Sequence, residues 1–194
     1  MKFELVADAT PIDADTATGL LPNLATQAEL NEFEERNIIA ATRWSRTSTA
    51  LRHDYPNVSA LKLLHRRMFH QTWRWVGDFR QRETNIGIDW WNIPAELHNL
   101  CENTRVQIAY DAYPWAELAA RFHHELVSIH PFPNGNGRHA RLATAILLRQ
   151  HYQTPTLWGR GSLIVPGQIR SRYIAALQEA DAGLYESLIA FMSG

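Results

Sequence analysis

The run from Arg138 to Gln150 contains neither Gly nor Pro, and Ala140, Leu142, Ala143, Ala145, Ile146, Leu147 and Leu148 cover most sides of its helical wheel. A helix that is apolar over most of its circumference must be surrounded by other elements. The rest of the chain supplies them at helical period. Val58, Leu61, Leu64, Met68 and Trp75 recur at that spacing up to the breaker Gly77, and Leu118, Phe122, Leu126 and Ile129 do so directly before residue 130. Ile169, Tyr173, Leu177 and Ala180, then Leu184, Leu188 and Phe191, predict two further helices parted at Gly183. Thr26 is placed to cap a helix running to about Trp44. The expected fold is therefore mainly α, a bundle around a buried helix over 136–150.

The segment feeding that helix is His130-Pro131-Phe132-Pro133-Asn134-Gly135-Asn136-Gly137-Arg138-His139-Ala140-Arg141. Pro131 and Pro133 fix the backbone on either side of Phe132 and hold a loop. Gly135 and Gly137 then allow successive N–H groups to turn inward, forming an anion nest at a helix N-terminus, where the dipole favours phosphate. Arg138 and Arg141, at i and i+3, carry charge into a packed interior and call for anionic partners. A polyphosphate or a nearby carboxylate would meet that need.

This twelve-residue pattern resembles the signature of the Fic/Doc family, with the nearest likeness in the branch known as mobile mystery protein B. Leu64-His65-Arg66-Arg67-Met68-Phe69, Trp75-Val76-Gly77-Asp78-Phe79-Arg80 and Tyr173-Ile174-Ala175-Ala176-Leu177 resemble flanking family segments, so the likeness spans residues 58 to 192. It implies a Fic-like helical bundle and a protein adenylyltransferase: a target Tyr, Thr or Ser hydroxyl attacks the α-phosphate of ATP, with Mg²⁺ as cofactor. Carried over, His130 is the general base. Gly135, Asn136 and Gly137 form the anion hole, Arg138 meets the β- and γ-phosphates, and Arg141 meets the γ-phosphate or an inhibitory carboxylate. Tyr173 and Asp181 fall on the adenine side. Asn134 stands where the family usually has an acidic Mg²⁺ ligand; its amide oxygen is a hard donor without the carboxylate's charge.

Two further segments gain a reading from the resemblance. Thr84 to Ile93 alternates polar and β-favouring residues around Gly87 and stops at Pro94, which predicts a short β-hairpin. At the matching place, family members carry a flap that pairs with the target backbone, so Ile86, Gly87, Ile88 and Trp90 are the expected target-binding residues. In the N-terminal region, Ala25-Thr26-Gln27-Ala28-Glu29-Leu30-Asn31 keeps part of the family's inhibitory pattern. Glu29 is the expected partner of Arg141, with Glu32 and Glu35 as substitutes; the alternative is a solvated acidic helix face.

Composition bounds the remaining choices. The chain has 194 residues, 45% of them hydrophobic, enough for one good core. The expected organisation is an irregular lead-in over 1–25, an N-terminal helical segment over 26–57 and a catalytic core over 58–194. A net charge of −1 argues against sequence-independent nucleic-acid or anionic-membrane binding and in favour of protein and nucleotide partners. The resemblance implies ATP and a protein target as those partners, with room for a homodimer. The single cysteine, Cys101, excludes an internal disulfide. Met1 to Ala17 lacks the features of a signal peptide, and no apolar run reaches a membrane span, so a cytoplasmic location is expected. His123 and His124, being adjacent, and His65 and His70, five apart, do not form the i, i+4 pair of a metal site and read as structural. The alternatives to an adenylyltransferase are a nucleotide-binding or interaction module weakened through Asn134, and a transferase using another nucleotide or phosphate donor.

Overall fold

The computed structural model describes residues 17–24, 26–52, 54–151, 153–154, 156–158 and 167–194. Among them the chain forms seven α-helices: α1 Gln27–Thr47, α2 Val58–Phe69, α3 Ile93–Ala109, α4 Trp115–Ile129, α5 Asn136–Gln150, α6 Gln168–Asp181 and α7 Glu186–Ser193. Short 3₁₀ turns at Thr49–Leu51 and Trp90–Asn92 precede α2 and α3. None of these helices is long and apolar enough to cross a membrane. Most of the expected lead-in lies outside the described residues.

Three of the helices start on a signal that the sequence provides. The Thr26 hydroxyl accepts the Glu29 N–H at 3.2 Å while the Glu29 carboxylate accepts the Thr26 N–H at 3.0 Å, a reciprocal capping box opening α1. Asn57 caps α2 through the Ala60 N–H at 2.8 Å. Pro94 sits in the first turn of α3, where its missing N–H is harmless. The sequence reading took Pro94 as the stop of an extended segment; here it opens a helix.

Expectation and structure agree on the centre. Ala140, Ala143, Ile146 and Leu147 of α5 are fully buried, and α5 packs along α4 and against α2. Alanines at 140 and 143 leave room for these neighbours, and Leu61, Leu64, Met68, Phe122 and Leu126 fill the remaining space. A second apolar cluster joins Ala119 and Ala120 of α4 and Leu148 of α5 to Tyr173, Ala176, Leu188 and Phe191 of α6 and α7. The two clusters suspend α5 from both sides, so its N-terminal turn is rigidly placed. Gly183, at φ 81°, breaks the chain between α6 and α7.

The segment from Thr84 to Asp89 is a string of bends, and among the described residues no strand ladder forms. An isolated bridge pairs Leu20 with Trp73. The alternation over 84–93 would need a partner strand to become a hairpin. Its carbonyls are instead taken by side chains: the Thr84 hydroxyl donates to Ile86 O at 2.6 Å, and the Arg80 guanidinium donates to Ile88 O.

Candidate active site

Helix α4 ends at Ile129, and His130 follows in the left-handed region at φ 52°, ψ 58°. Such a conformation costs a non-glycine residue about 1–3 kcal/mol and persists only where the surroundings impose it. Arg80 imposes it: its Nε donates to His130 O at 2.7 Å, its Nη2 reaches Ile129 O at 3.3 Å, and its own N–H donates to Pro131 O at 3.0 Å. The imidazole is buried. Burial first, and the Arg80 charge second, lower the His130 pKa to about 4, with the Val127 carbonyl pulling the other way. At neutral pH the ring is in its basic form.

The loop between α4 and α5 is closed by its own residues. Phe132 is fully buried with its ring stacked on His65 at 3.8 Å. Asn136 Oδ1 accepts the Phe132 N–H at 2.9 Å, and its Nδ2 donates to Phe132 O at 2.7 Å. The Asn136 amide thus shapes the nest from behind. Gly135 adopts φ 80°, and a Cβ there would lie 2.6 Å from Phe69 Cζ, so both conformation and space demand glycine. No side chain caps α5 at Gly135, leaving its first amides facing the loop.

His65 anchors the same loop from α2. The Gly77 N–H donates to its Nδ1 at 3.1 Å, which fixes the proton on Nε2, 3.0 Å from Asn134 O. Burial and the neighbouring His139 hold the His65 pKa well below its ordinary value, so this support stays neutral.

The two motif arginines go to opposite sides. Arg138 Nη1 pairs with Glu34 Oε2 at 2.6 Å, and the Trp73 indole N–H holds Glu34 Oε1 at 2.7 Å. Glu34 is buried on the inner stripe of α1 with Leu30, Asn37 and Ala41. Arg141 is half-buried and hydrogen-bonded to the Tyr173 hydroxyl of α6. His123 Nε2 lies 2.8 Å from the same hydroxyl. Burial, then the charge of Arg141, lowers the His123 pKa to about 3. The neutral imidazole therefore accepts the Tyr173 proton, turning the phenol oxygen toward Arg141.

The remaining expected residues separate. Asp181 pairs with His124 at 2.7 Å on an exposed end of α6, while Tyr173 lies at Arg141. Gly87 lies against the site, since a Cβ there would meet His130 Cβ at 2.7 Å and Arg80 Nη2 at 2.6 Å. Ile86 and Ile88 flank it, and Trp90 stands edge-on to the exposed Trp91. Glu29 is held by the cap of α1, so the carboxylate that reaches a motif arginine is Glu34, and the arginine is Arg138. Sequence reasoning missed Glu34 and Arg80; His65 and His123, read as structural, are buried supports of the loop and of Tyr173. An acid at i+4 from Leu30 on an otherwise buried stripe was the available signal for Glu34.

Asn134 Oδ1 accepts the Gly135 N–H at 2.6 Å. Among the described residues no group of three or more His, Cys, Asp or Glu side chains could hold a metal. A neutral amide already engaged by the backbone is a poor donor set for a resident Mg²⁺ ion, and the residues present do not fit one.

His130, the uncapped first turn and the half-buried Arg141 thus meet at the start of a packed helix in an α-bundle. Residues 55–148 match the Fic/DOC family, and the chain belongs to that family. A probable protein adenylyltransferase, y4lH of Sinorhizobium fredii, is 27% identical over 135 residues, 66% of this chain and 68% of the relative. Protein adenylyltransferase Fic of Drosophila willistoni is 31% identical over 123 residues; the match takes in 60% of this chain and only 23% of that longer protein. The crystal structure of BepC from Bartonella tribocorum with bound AMPPNP superposes with a TM-score of 0.63 at 21% identity, covering 86% of this chain and 85% of BepC. That last likeness concerns the fold.

Proposed function

We propose that this protein transfers AMP from ATP, taken as its magnesium complex, to a Tyr, Thr or Ser hydroxyl of a protein target. One observation carries the reading: His130, held in its left-handed turn by Arg80, and the half-buried Arg141 flank the uncapped N-terminus of α5. In the reaction His130 takes the proton of the target hydroxyl, whose oxygen bonds to the α-phosphorus. The bond from that phosphorus to the oxygen bridging the β-phosphate breaks, and pyrophosphate leaves. Phosphate charge entering beside His130 raises its proton affinity from the low value of the free protein. The first amides of α5 and Arg141 stabilise the charge, and positioning supplies most of the acceleration. The Thr84–Asp89 segment, with Gly87 against His130, is the part that presents the target backbone.

The ion pair between Glu34 and Arg138 supports autoinhibition from α1. While it persists, Arg138 is unavailable to the β- and γ-phosphates. Asn134 favours the second reading, a nucleotide-binding module with weakened transfer, because no carboxylate stands beside the phosphates. Incubation with α-labelled ATP separates the two. Label on the protein or a target that disappears in His130→Ala, with ATP binding kept, supports transfer; binding without label in the wild type supports the module.

A further inference from the structure

Arg80 is the most heavily engaged side chain near the site. It is 2% exposed, and its guanidinium donates to four carbonyls: His130 and Ile129 at the end of α4, and Arg82 and Ile88 in the segment leading to and from Gly87. No carboxylate takes part in these bonds. A buried guanidinium surrounded by carbonyl dipoles is well hydrogen-bonded but keeps its charge, and that charge lies next to the motif histidine. The close approach of Gly87 to both His130 and Arg80 shows that the three residues form one packed unit.

We propose that Arg80 is a positioning residue for the motif histidine, holding the left-handed His130 turn and the Thr84–Asp89 segment together as one rigid piece. The inference rests on the proposed transfer reaction for its catalytic meaning and on geometry for its existence. The fork explains why His130 can stay in a strained conformation: its carbonyl and that of Ile129 are both fixed from one side. It also helps the Thr84–Asp89 segment keep its shape without strand pairing, since the Ile88 carbonyl belongs to Arg80 and the Arg82 carbonyl just before the segment does too. Electrostatics adds a second effect. Arg80 is the charged group that weighs on His130; α4 contributes the Val127 carbonyl, and Glu83 and Asp89 act on Arg80 in turn. Burial is the larger cause of the neutral imidazole; the arginine adds to it and holds the turn in place.

Two variants separate position from charge. Arg80→Gln removes the charge and most of the fork, whereas Arg80→Lys keeps a charge but cannot span four carbonyls. An NMR titration of the His130 ring in the resting protein is expected to give a midpoint near 4 in the wild type, close to that in Arg80→Lys, and higher in Arg80→Gln. Amide exchange at Gly87, Ile88 and Asp89 is expected to quicken in both variants. In the labelling assay, kcat should fall on the order of 10²-fold in Arg80→Lys, with KM for ATP little changed, as for a displaced catalytic group. An unmoved His130 midpoint in Arg80→Gln, or unchanged exchange in Arg80→Lys, overturns the proposal. If Arg80→Gln fails to fold, exchange and kcat in Arg80→Lys decide it. A wild type that never labels refutes the transfer reaction alone, because titration and exchange still report on Arg80.

Discussion

Arg138 and Arg141 stand three residues apart on the same helix, yet their surroundings differ in the one property that matters for binding phosphate. On the α1 side, Arg138 meets a buried carboxylate that is itself held by an indole N–H. On the α6 side, Arg141 meets a phenol whose O–H donates to a neutral imidazole, and among the described residues no carboxylate pairs with it. Burial lowers the Arg141 pKa, Tyr173 opposes that, and the charges of Arg138 and Arg170 add to the lowering. One guanidinium is neutralised and the other is held charged with hydrogen-bond support only. Among the described residues, a single helical turn thus holds one guanidinium paired with a buried carboxylate and another without one.

Acid tests this division with the largest expected effect. The pKa values of His130 and His139 are lowered to about 4 and that of His123 to about 3, in each case mainly by burial. Such groups bind protons more readily in the unfolded chain. Stability is therefore complete above about pH 6.5 and is lost as pH falls toward 4, by up to about 1.4 kcal/mol per pH unit for each histidine. Urea unfolding at pH 7, 6 and 5 should show this decline, and exchange of His123 for Gln should make it shallower. A flat profile would mean that these imidazoles are not held neutral.

Removing the phenol hydroxyl sharpens the contrast on the α6 side. Tyr173→Phe withdraws a hydrogen bond to a charged group, worth about 1.5–3 kcal/mol. KM for ATP is expected to rise on the order of tenfold or more, with kcat less affected, because Arg141 loses its aim while His130 keeps its own. An unchanged KM would show that Arg141 does not meet the nucleotide. A smaller effect is expected at Asn134→Asp. A carboxylate beside the first turn of α5 gains about 0.3–1 kcal/mol from the helix dipole. It also supplies the charged oxygen that the magnesium complex of ATP lacks here, so labelling should become faster and more dependent on Mg²⁺. No gain in rate would mean that the amide already suffices.

The central part of this molecule was legible because local and global demands coincide there. The apolar circumference of 140–148 could only be a buried helix, and the Pro and Gly positions of 131–137 could only be a tight loop before it. Glu29, the acid expected to face Arg141, sits in a local bond for a physical reason. Thr26-Gln27-Ala28-Glu29 is also a capping-box sequence, and the local bond to Thr26 took the carboxylate that a longer-range pairing would have needed. Glu34 reached Arg138 through the packing of α1 on α2, which no spacing within α1 reports. The Thr84–Ile93 alternation was a β-like pattern without a partner strand among the described residues; Arg80 took the Ile88 carbonyl and the Thr84 hydroxyl took that of Ile86. Helix α3 was overlooked because Pro94 was weighed as a stop, although Ile93, Leu97, Leu100 and Cys101 carry a helical stripe.

The most direct measurement of the account is ATP affinity by calorimetry in the wild type and in Glu34→Gln, with a thermal melt of each. If Glu34 masks Arg138, the variant binds ATP more tightly and labels faster. It also loses stability, about 3–5 kcal/mol if the change acts like breaking a buried pair. Equal or weaker ATP binding in a folded Glu34→Gln protein would contradict the account, leaving the pair as a brace between α1 and α5.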